Sequence, residues 1–207
     1  MKGSNHDRSG GGYSELYKDS RYDRDGSTDL GVVIFDKTEE LEVTIEFTKG
    51  AKSAGNEVAC FDLQKMNIHG CLGCCKGGQN PESPCVQKDD MQQIYPVYRE
   101  ADVVVLASPM YYWGISGQLK CAFDRLFAVA ECSPDYENPK KECLLLMAAE
   151  GNTESNFAPV KAYYEGLLSH LGWKDAGIVY AGGNMDPGDI RDRPEQLAQA
   201  EALGKAL

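Results

Sequence analysis

The sequence predicts a doubly wound α/β domain built on a parallel sheet, and two observations carry that prediction. Five short apolar runs, at residues 31–35, 57–63, 102–107, 143–149 and 177–180, punctuate the chain. The third reads Asp-Val-Val-Val-Leu-Ala, apolar without alternation, as a central strand covered on both faces should be. Between the later runs, apolar residues recur at helical spacing, and strands alternating with helices give a parallel sheet. At 207 residues and 42% hydrophobic the chain is long enough to bury the core of one such domain, and it shows no internal repeat.

Each element follows from its own residues. Residues 1–28 are rich in Gly, Ser, Asp, Arg and Tyr and hold almost no aliphatic side chain. Nothing there offsets the entropy of ordering, so they read as a poorly ordered tail before a single domain at 29–207. After the 31–35 strand only Asp36, Lys37 and Thr38 precede the next element. Residues 39–48 carry a conflict: Leu41, Val43, Ile45 and Phe47 alternate with Glu42, Thr44 and Glu46, the pattern of a half-buried strand that would form a hairpin with 31–35. A parallel pairing of 31–35 with 57–63 instead needs a crossover of about a dozen residues, which a helix at 38–54, ended by Gly55, would supply.

Further on, Asp89 or Asp90 is placed to cap a helix reaching Glu100, with Pro96 inside it expected to kink it. Ile115, Leu119, Phe123, Leu126, Phe127 and Ala130 mark an amphipathic helix at 116–130. Phe157, Val160, Tyr164, Leu167, Leu168 and Leu171 mark the next. A last helix is expected at 193–206, capped by Asp192 and with Pro194 in its first turn.

The stretch from Cys71 to Arg125 concentrates the unusual chemistry. It contains Gly-Cys-Leu-Gly-Cys-Cys-Lys-Gly-Gly from Gly70, Cys85, Asp89-Asp90-Met91, the valine strand, Ser108-Pro109-Met110-Tyr111-Tyr112-Trp113-Gly114 and Lys120-Cys-Ala-Phe-Asp124-Arg125. Ligands of open α/β sheets sit outside the carboxyl ends of the strands, which puts the Ser108 to Gly114 loop and its three aromatics on the binding edge. Taken together from about Gly50 onward, these motifs resemble the flavodoxin-fold, FMN-dependent NAD(P)H oxidoreductases, a group that includes NADPH-dependent FMN reductases and iron-sulfur flavoproteins.

The resemblance implies a flavodoxin-like five-stranded sheet of order 2-1-3-4-5, which requires the helix at 38–54. It implies an FMN site framed by Ser108, Pro109, Met110, Tyr111, Tyr112, Trp113 and Gly114 and, after the next strand, by Glu150, Gly151 and Asn152. NAD(P)H is the implied co-substrate, with hydride passed through the flavin to a small acceptor such as a quinone or nitroaromatic. A homodimer or homotetramer is the expected assembly. The family's phosphate loop follows its first strand, and here that site is shortened to Thr38 with Glu39 and Glu40 beside it. Arg24 to Thr28 looks like part of such a loop but has no strand before it.

In iron-sulfur flavoproteins a compact cluster motif stands in this position, with a further cysteine three residues after the second. That place is Gly77 here. Cys71, Cys74, Cys75 and Cys85 still offer four thiolates, the number an Fe–S cluster needs, although adjacent Cys74 and Cys75 project in different directions. A cluster, a zinc site and free or redox-active thiols are the alternatives, and free thiols are the expectation. Cys60, Cys121, Cys132 and Cys143 are expected to be small buried hydrophobes. An electron-transfer protein fed through a cluster, or a fold that has lost its cofactor, are the competing functional readings.

Composition narrows the remaining classes. A net charge of −11 and a pI near 4.7 argue against nucleic acid or an anionic membrane as partner. No apolar run is long enough to span a bilayer and no signal peptide opens the chain, so a cytoplasmic protein is expected. Eight cysteines are then expected to be thiols or ligands. His6, His69 and His170 sit in no catalytic setting, and no nucleophile-elbow motif follows a strand, so a hydrolase triad has no support. Lys120 and Asp124, four apart on a helix, pair across one turn, and with Arg125 they read as structural. Gly182-Gly183 and Pro187-Gly188-Asp189-Ile190 resemble the family's last loop, without an assignable role.

Overall fold

A computed structural model describes residues 31–36 and 42–207. Among them lie five parallel strands: β1 (Gly31–Asp36), β2 (Glu57–Asp62), β3 (Val103–Pro109), β4 (Glu142–Ala149) and β5 (Lys174–Gly182), in the order 2-1-3-4-5. The helices are α1 (Glu42–Ser53), α2 (Met91–Glu100), α3 (Gly117–Arg125), α4 (Phe127–Ala130), α5 (Glu154–Leu171) and α6 (Pro194–Lys205), with a 3₁₀ turn at Asp189–Asp192. No helix among the described residues is long and apolar enough to cross a membrane. The tail at 1–28, including Arg24 to Thr28, lies outside the described residues, as do Thr38, Glu39 and Glu40.

The central strand is buried on both sides, as its unbroken apolar run requires. Val104 and Leu106 join one core with Met91, Ile94, Tyr95, Tyr98, Leu119, Phe157, Val160 and Tyr164 from α2, α3 and α5. Val103, Val105 and Ala107 join the opposite core with Val43, Phe47 and Ala51 of α1 and Ala200 of α6. The conflict at 39–48 resolves to helix from Glu42 onward. Val43, Phe47 and Ala51 are fully buried at intervals of four, whereas Ile45 is only half-buried, so the helical period describes this segment and the alternation does not. α1 and α6 approach so closely that a Cβ on Gly50 would overlap the Glu201 carbonyl oxygen and one on Gly204 the Phe47 carbonyl oxygen.

Four expectations are corrected. The helix expected at 116–130 breaks at Leu126. The Val129 N–H bonds to Leu126 O, 2.9 Å away, and the Arg125 carbonyl, which an unbroken helix would have used for Val129, lies 3.4 Å from the Tyr95 hydroxyl that donates to it. β5 is longer than 177–180 because a bulge opposite Cys143 and Leu144 lets the strand start at Lys174. The last helix is preceded by Arg193, since Asp192 belongs to the 3₁₀ turn. Of the four cysteines expected in the core only Cys143 is buried; Cys60, Cys121 and Cys132 are half-buried.

Candidate functional site

The loop after β3 leaves the sheet at the carboxyl edge and is fixed at its base by two fully buried serines. The Ser108 hydroxyl donates to Pro109 O at 2.8 Å and accepts from the Ser116 N–H at 2.9 Å, and the Ser116 hydroxyl accepts from the Leu119 N–H at 3.2 Å to cap α3. Between these anchors Tyr111 and Gly114 exchange both backbone hydrogen bonds at 3.0 Å. They close a two-residue hairpin whose central residues, Tyr112 and Trp113, have φ of 49° and 61°. Positive φ at both positions defines the tight hairpin turn that normally takes Asn-Gly, so two bulky aromatics there are strained. Both are exposed, Tyr112 almost completely at 97%.

Beside the hairpin's base lies a cleft of about 330 Å³, within the size range of small-molecule sites. Pro109, Met110 and Tyr111 form one side, Ala148, Ala149 and Glu150 the floor at the end of β4, and Asn184 to Gly188 with Ile190 the far wall, while Glu42 and Val43 close it from the first turn of α1. The far wall is built by its own backbone. Gly183 N–H donates to Glu150 O at 3.0 Å and Asn184 N–H to Ala149 O at 2.9 Å, while the Asp189 carboxylate accepts from the N–H groups of Met185 and Asp186 at 3.0 and 2.9 Å. Those two donors hold the Asp189 carboxyl below the usual carboxylate range. Arg191, on the 3₁₀ turn, reaches across the rim to Glu42 at 2.6 Å.

The structure distributes the residues singled out in the sequence unevenly. Pro109, Met110, Tyr111 and Glu150 line the cleft. Ser108 is spent on the loop's base, and Tyr112, Trp113 and Gly114 form the hairpin beyond the cleft wall. Asn152 borders a second groove beside α5, and Gly151 packs on the Asn156 side chain. Sequence reasoning missed Glu42, Val43 and the entire far wall. Its one available signal was the Gly-Gly and Pro-Gly-Asp-Ile run after β5.

The cysteines do not gather. Cys71, Cys74 and Cys75 are exposed, whereas Cys85 is half-buried and packs against the core with Tyr95. Among the described residues, no three His, Cys, Asp or Glu side chains come together in a way that could hold a metal ion. The loop that carries the cysteines is held instead by a buried ion pair. Arg125, 1% exposed, donates to both oxygens of Asp89 at 2.7 and 3.0 Å and to His69 O at 2.8 Å, and Asp89 also accepts from the His69 N–H at 3.2 Å. Burial alone would push the Asp89 carboxyl up; the guanidinium and the His69 N–H outweigh it and hold it below its ordinary value. Asp90, in the N-cap position of α2, makes no side-chain cap; its carboxylate accepts from the Asn67 N–H at 2.7 Å.

Residues 41–177 match the family model described as NADPH-dependent FMN reductase. The chain belongs to that family. It is 37% identical over 162 residues, 74% of this chain and 80% of the relative, to an iron-sulfur flavoprotein of Methanocaldococcus jannaschii. It is 27% identical over 174 residues, 75% of this chain and 93% of the relative, to a Bacillus subtilis protein provisionally named an NAD(P)H-dependent FMN-containing oxidoreductase. An NAD(P)H:quinone oxidoreductase from Methanothermobacter marburgensis shares the fold, with a TM-score of 0.63 and 22% identity over 84% of this chain and 93% of that one.

The family's cofactor, FMN, suits the cleft at its ring end. Val43, Pro109, Met110, Ala148, Ala149 and Ile190 supply apolar walls. Asn184 supplies a buried side-chain oxygen with no hydrogen-bond partner, while its amide nitrogen bonds to Ala181 O, Gly182 O and Gln196. A flat heterocycle that carries both apolar surface and N–H donors matches that combination. The described rim carries three carboxylates, Glu42, Glu150 and Asp186, with Arg191 paired to Glu42.

Proposed function

We propose that the cleft at the carboxyl edge holds FMN and that the protein uses it to oxidise NAD(P)H and reduce a small acceptor such as a quinone or nitroaromatic. The observation that carries this reading is the convergence of the loops after β3, β4 and β5 on one apolar-walled cleft in a member of the NADPH-dependent FMN reductase family. When bound, the flavin supplies the hydride chemistry. The chain supplies position: the serine-anchored loop fixes Pro109 to Tyr111, the backbone bonds from Gly183 and Asn184 fix the opposite wall, and the exposed rings of Tyr111 and Trp113 offer stacking surface. No acid–base dyad is needed for a hydride passed through flavin, which accords with His69 and His170 lying outside the cleft. Eight cysteines in one chain suit thiols or ligands in a reducing, cytoplasmic setting. Exposed Tyr112, Trp113 and Phe127 support assembly into a homodimer or homotetramer, which light scattering on the purified protein would test.

The direct test is anaerobic. The protein, reconstituted with FMN, should bleach its flavin absorption on addition of NADH or NADPH and recover it when a quinone is added. Failure to retain FMN, or retention without bleaching by either nucleotide, would overturn the proposal. Because the described rim offers carboxylates, riboflavin should bind within about tenfold of FMN. A preference for FMN of a hundredfold, about 2.7 kcal/mol, would point to donors in residues 1–41.

A further inference from the structure

The cysteine loop departs from the iron-sulfur flavoproteins at Gly77, and the structure shows that the departure is more than a missing thiol. A Cβ built on Gly77 would overlap the carboxylate oxygen Oε2 of Glu131 and sit 2.9 Å from the Pro84 carbonyl oxygen. The next residue, Gly78, has φ of +73°, donates its N–H to that same Pro84 carbonyl at 2.8 Å, and lies against the Glu131 backbone. The Glu131 carboxylate, at the end of α4, therefore occupies the space beside Gly77, and the Glu131 backbone the space beside Gly78. The other thiols diverge as well, with Cys85 turned to the core and Cys71, Cys74 and Cys75 in solvent. Cys75 adopts φ of +47°, so bringing Cys74 and Cys75 onto one centre would require the backbone to leave its present course as well.

We propose that this chain has exchanged the four-thiolate cluster of its relatives for a packed loop, in which Glu131 occupies the third ligand's place, the Asp89–Arg125 pair holds the loop's far end, and Cys71, Cys74 and Cys75 remain as three free surface thiols. Electrons then have no cluster through which to arrive singly, and the thiols are open to alkylating agents and to low-molecular-weight disulfides. One such exchange converts a protein thiol and a disulfide into a mixed disulfide and one released thiol. This proposal stands on the loop alone and survives or fails independently of flavin binding.

The test uses the full chain, incubated anaerobically with ferrous iron, sulfide and a thiol reductant, then desalted, with iron, acid-labile sulfide and flavin each measured per chain. The expected result is well under one iron per chain, together with fast reaction of Cys71, Cys74 and Cys75 with iodoacetamide, identified by peptide mass. About four irons and four sulfides per chain, lost in Cys71→Ser and accompanied by protection of those thiols, would overturn it. Flavin content in the same samples reports the cofactor reading separately. A double-mutant cycle tests Glu131 itself: Gly77→Ala should lower the urea midpoint, and should lower it distinctly less in a Glu131→Ala background. Equal losses in the two backgrounds would remove Glu131 from the role assigned to it.

Discussion

Two loops leave neighbouring parts of the same sheet edge, and they are held in opposite ways. The loop at 63–90 is long and without regular structure, yet a buried, doubly hydrogen-bonded Asp89–Arg125 pair ties it to α3. The loop at 110–116 is short, anchored by two serine hydroxyls, and carries its strain in an exposed Tyr112-Trp113 turn. The first spends its polar chemistry on its own rigidity and leaves its thiols idle. The second tolerates unfavourable backbone angles where side chains are presented to solvent, which is where strain tends to accompany binding.

Breaking the first loop should give the larger effect. Arg125→Met leaves Asp89 buried without its partner and should cost about 3–5 kcal/mol of stability, measurable by urea denaturation. The same pair sets an acid limit. With Asp89 held below its ordinary value when folded, its contribution is complete above the unfolded value of about 4 and is lost as pH falls through the folded one. Stability of the native protein should therefore drop more steeply below pH 4 than that of Asp89→Asn, as unfolding midpoints across that range would show.

The second loop should respond with opposite signs in two assays. Replacing Tyr112-Trp113 with Asn-Gly fits the turn's positive φ angles and should stabilise the fold by about 1–2 kcal/mol. If the Trp113 ring stacks on flavin, the same variant should bind FMN at least tenfold more weakly by fluorescence titration. Unchanged affinity would assign the ring to a subunit contact. The smallest effect belongs to the exposed Lys120–Asp124 pair on α3 at 2.6 Å. Lys120→Ala should cost only about 0.3–0.5 kcal/mol, and less in high salt.

What was legible in the sequence was what depends on local periodicity. The valine run gave a doubly covered strand, while at residues 39–48 alternation suggested a strand and the family resemblance needed a helix, a conflict that the structure settles as helix from Glu42. The alternation misled because Glu42 and Glu46 sit one turn apart on the half-buried side while Val43 and Phe47 sit one turn apart on the buried side, so period two and period 3.6 agree over so few residues. The partner of Arg125 was not legible, because Asp89 is 36 residues away and stood as a helix cap in the sequence. Neither was the hairpin, since Tyr-Trp is the reverse of the Asn-Gly signal that marks such turns. The far wall of the cleft is fixed largely by backbone N–H groups, which every residue but proline carries and no composition reveals.

The seam between α1 and α6 has a consequence for how the chain is made. Val43, Phe47 and Ala51 share their core with the sheet and with α6, whose residues lie about 150 positions later, and Gly50 and Gly204 let the two helices approach closely. During synthesis the part of α1 that faces α6 stays uncovered until that helix clears the ribosome. Truncation within α6 would thus strand a sticky surface near the front of the molecule, and aggregation of the released chain, more than loss of any catalytic group, is how such a product would fail.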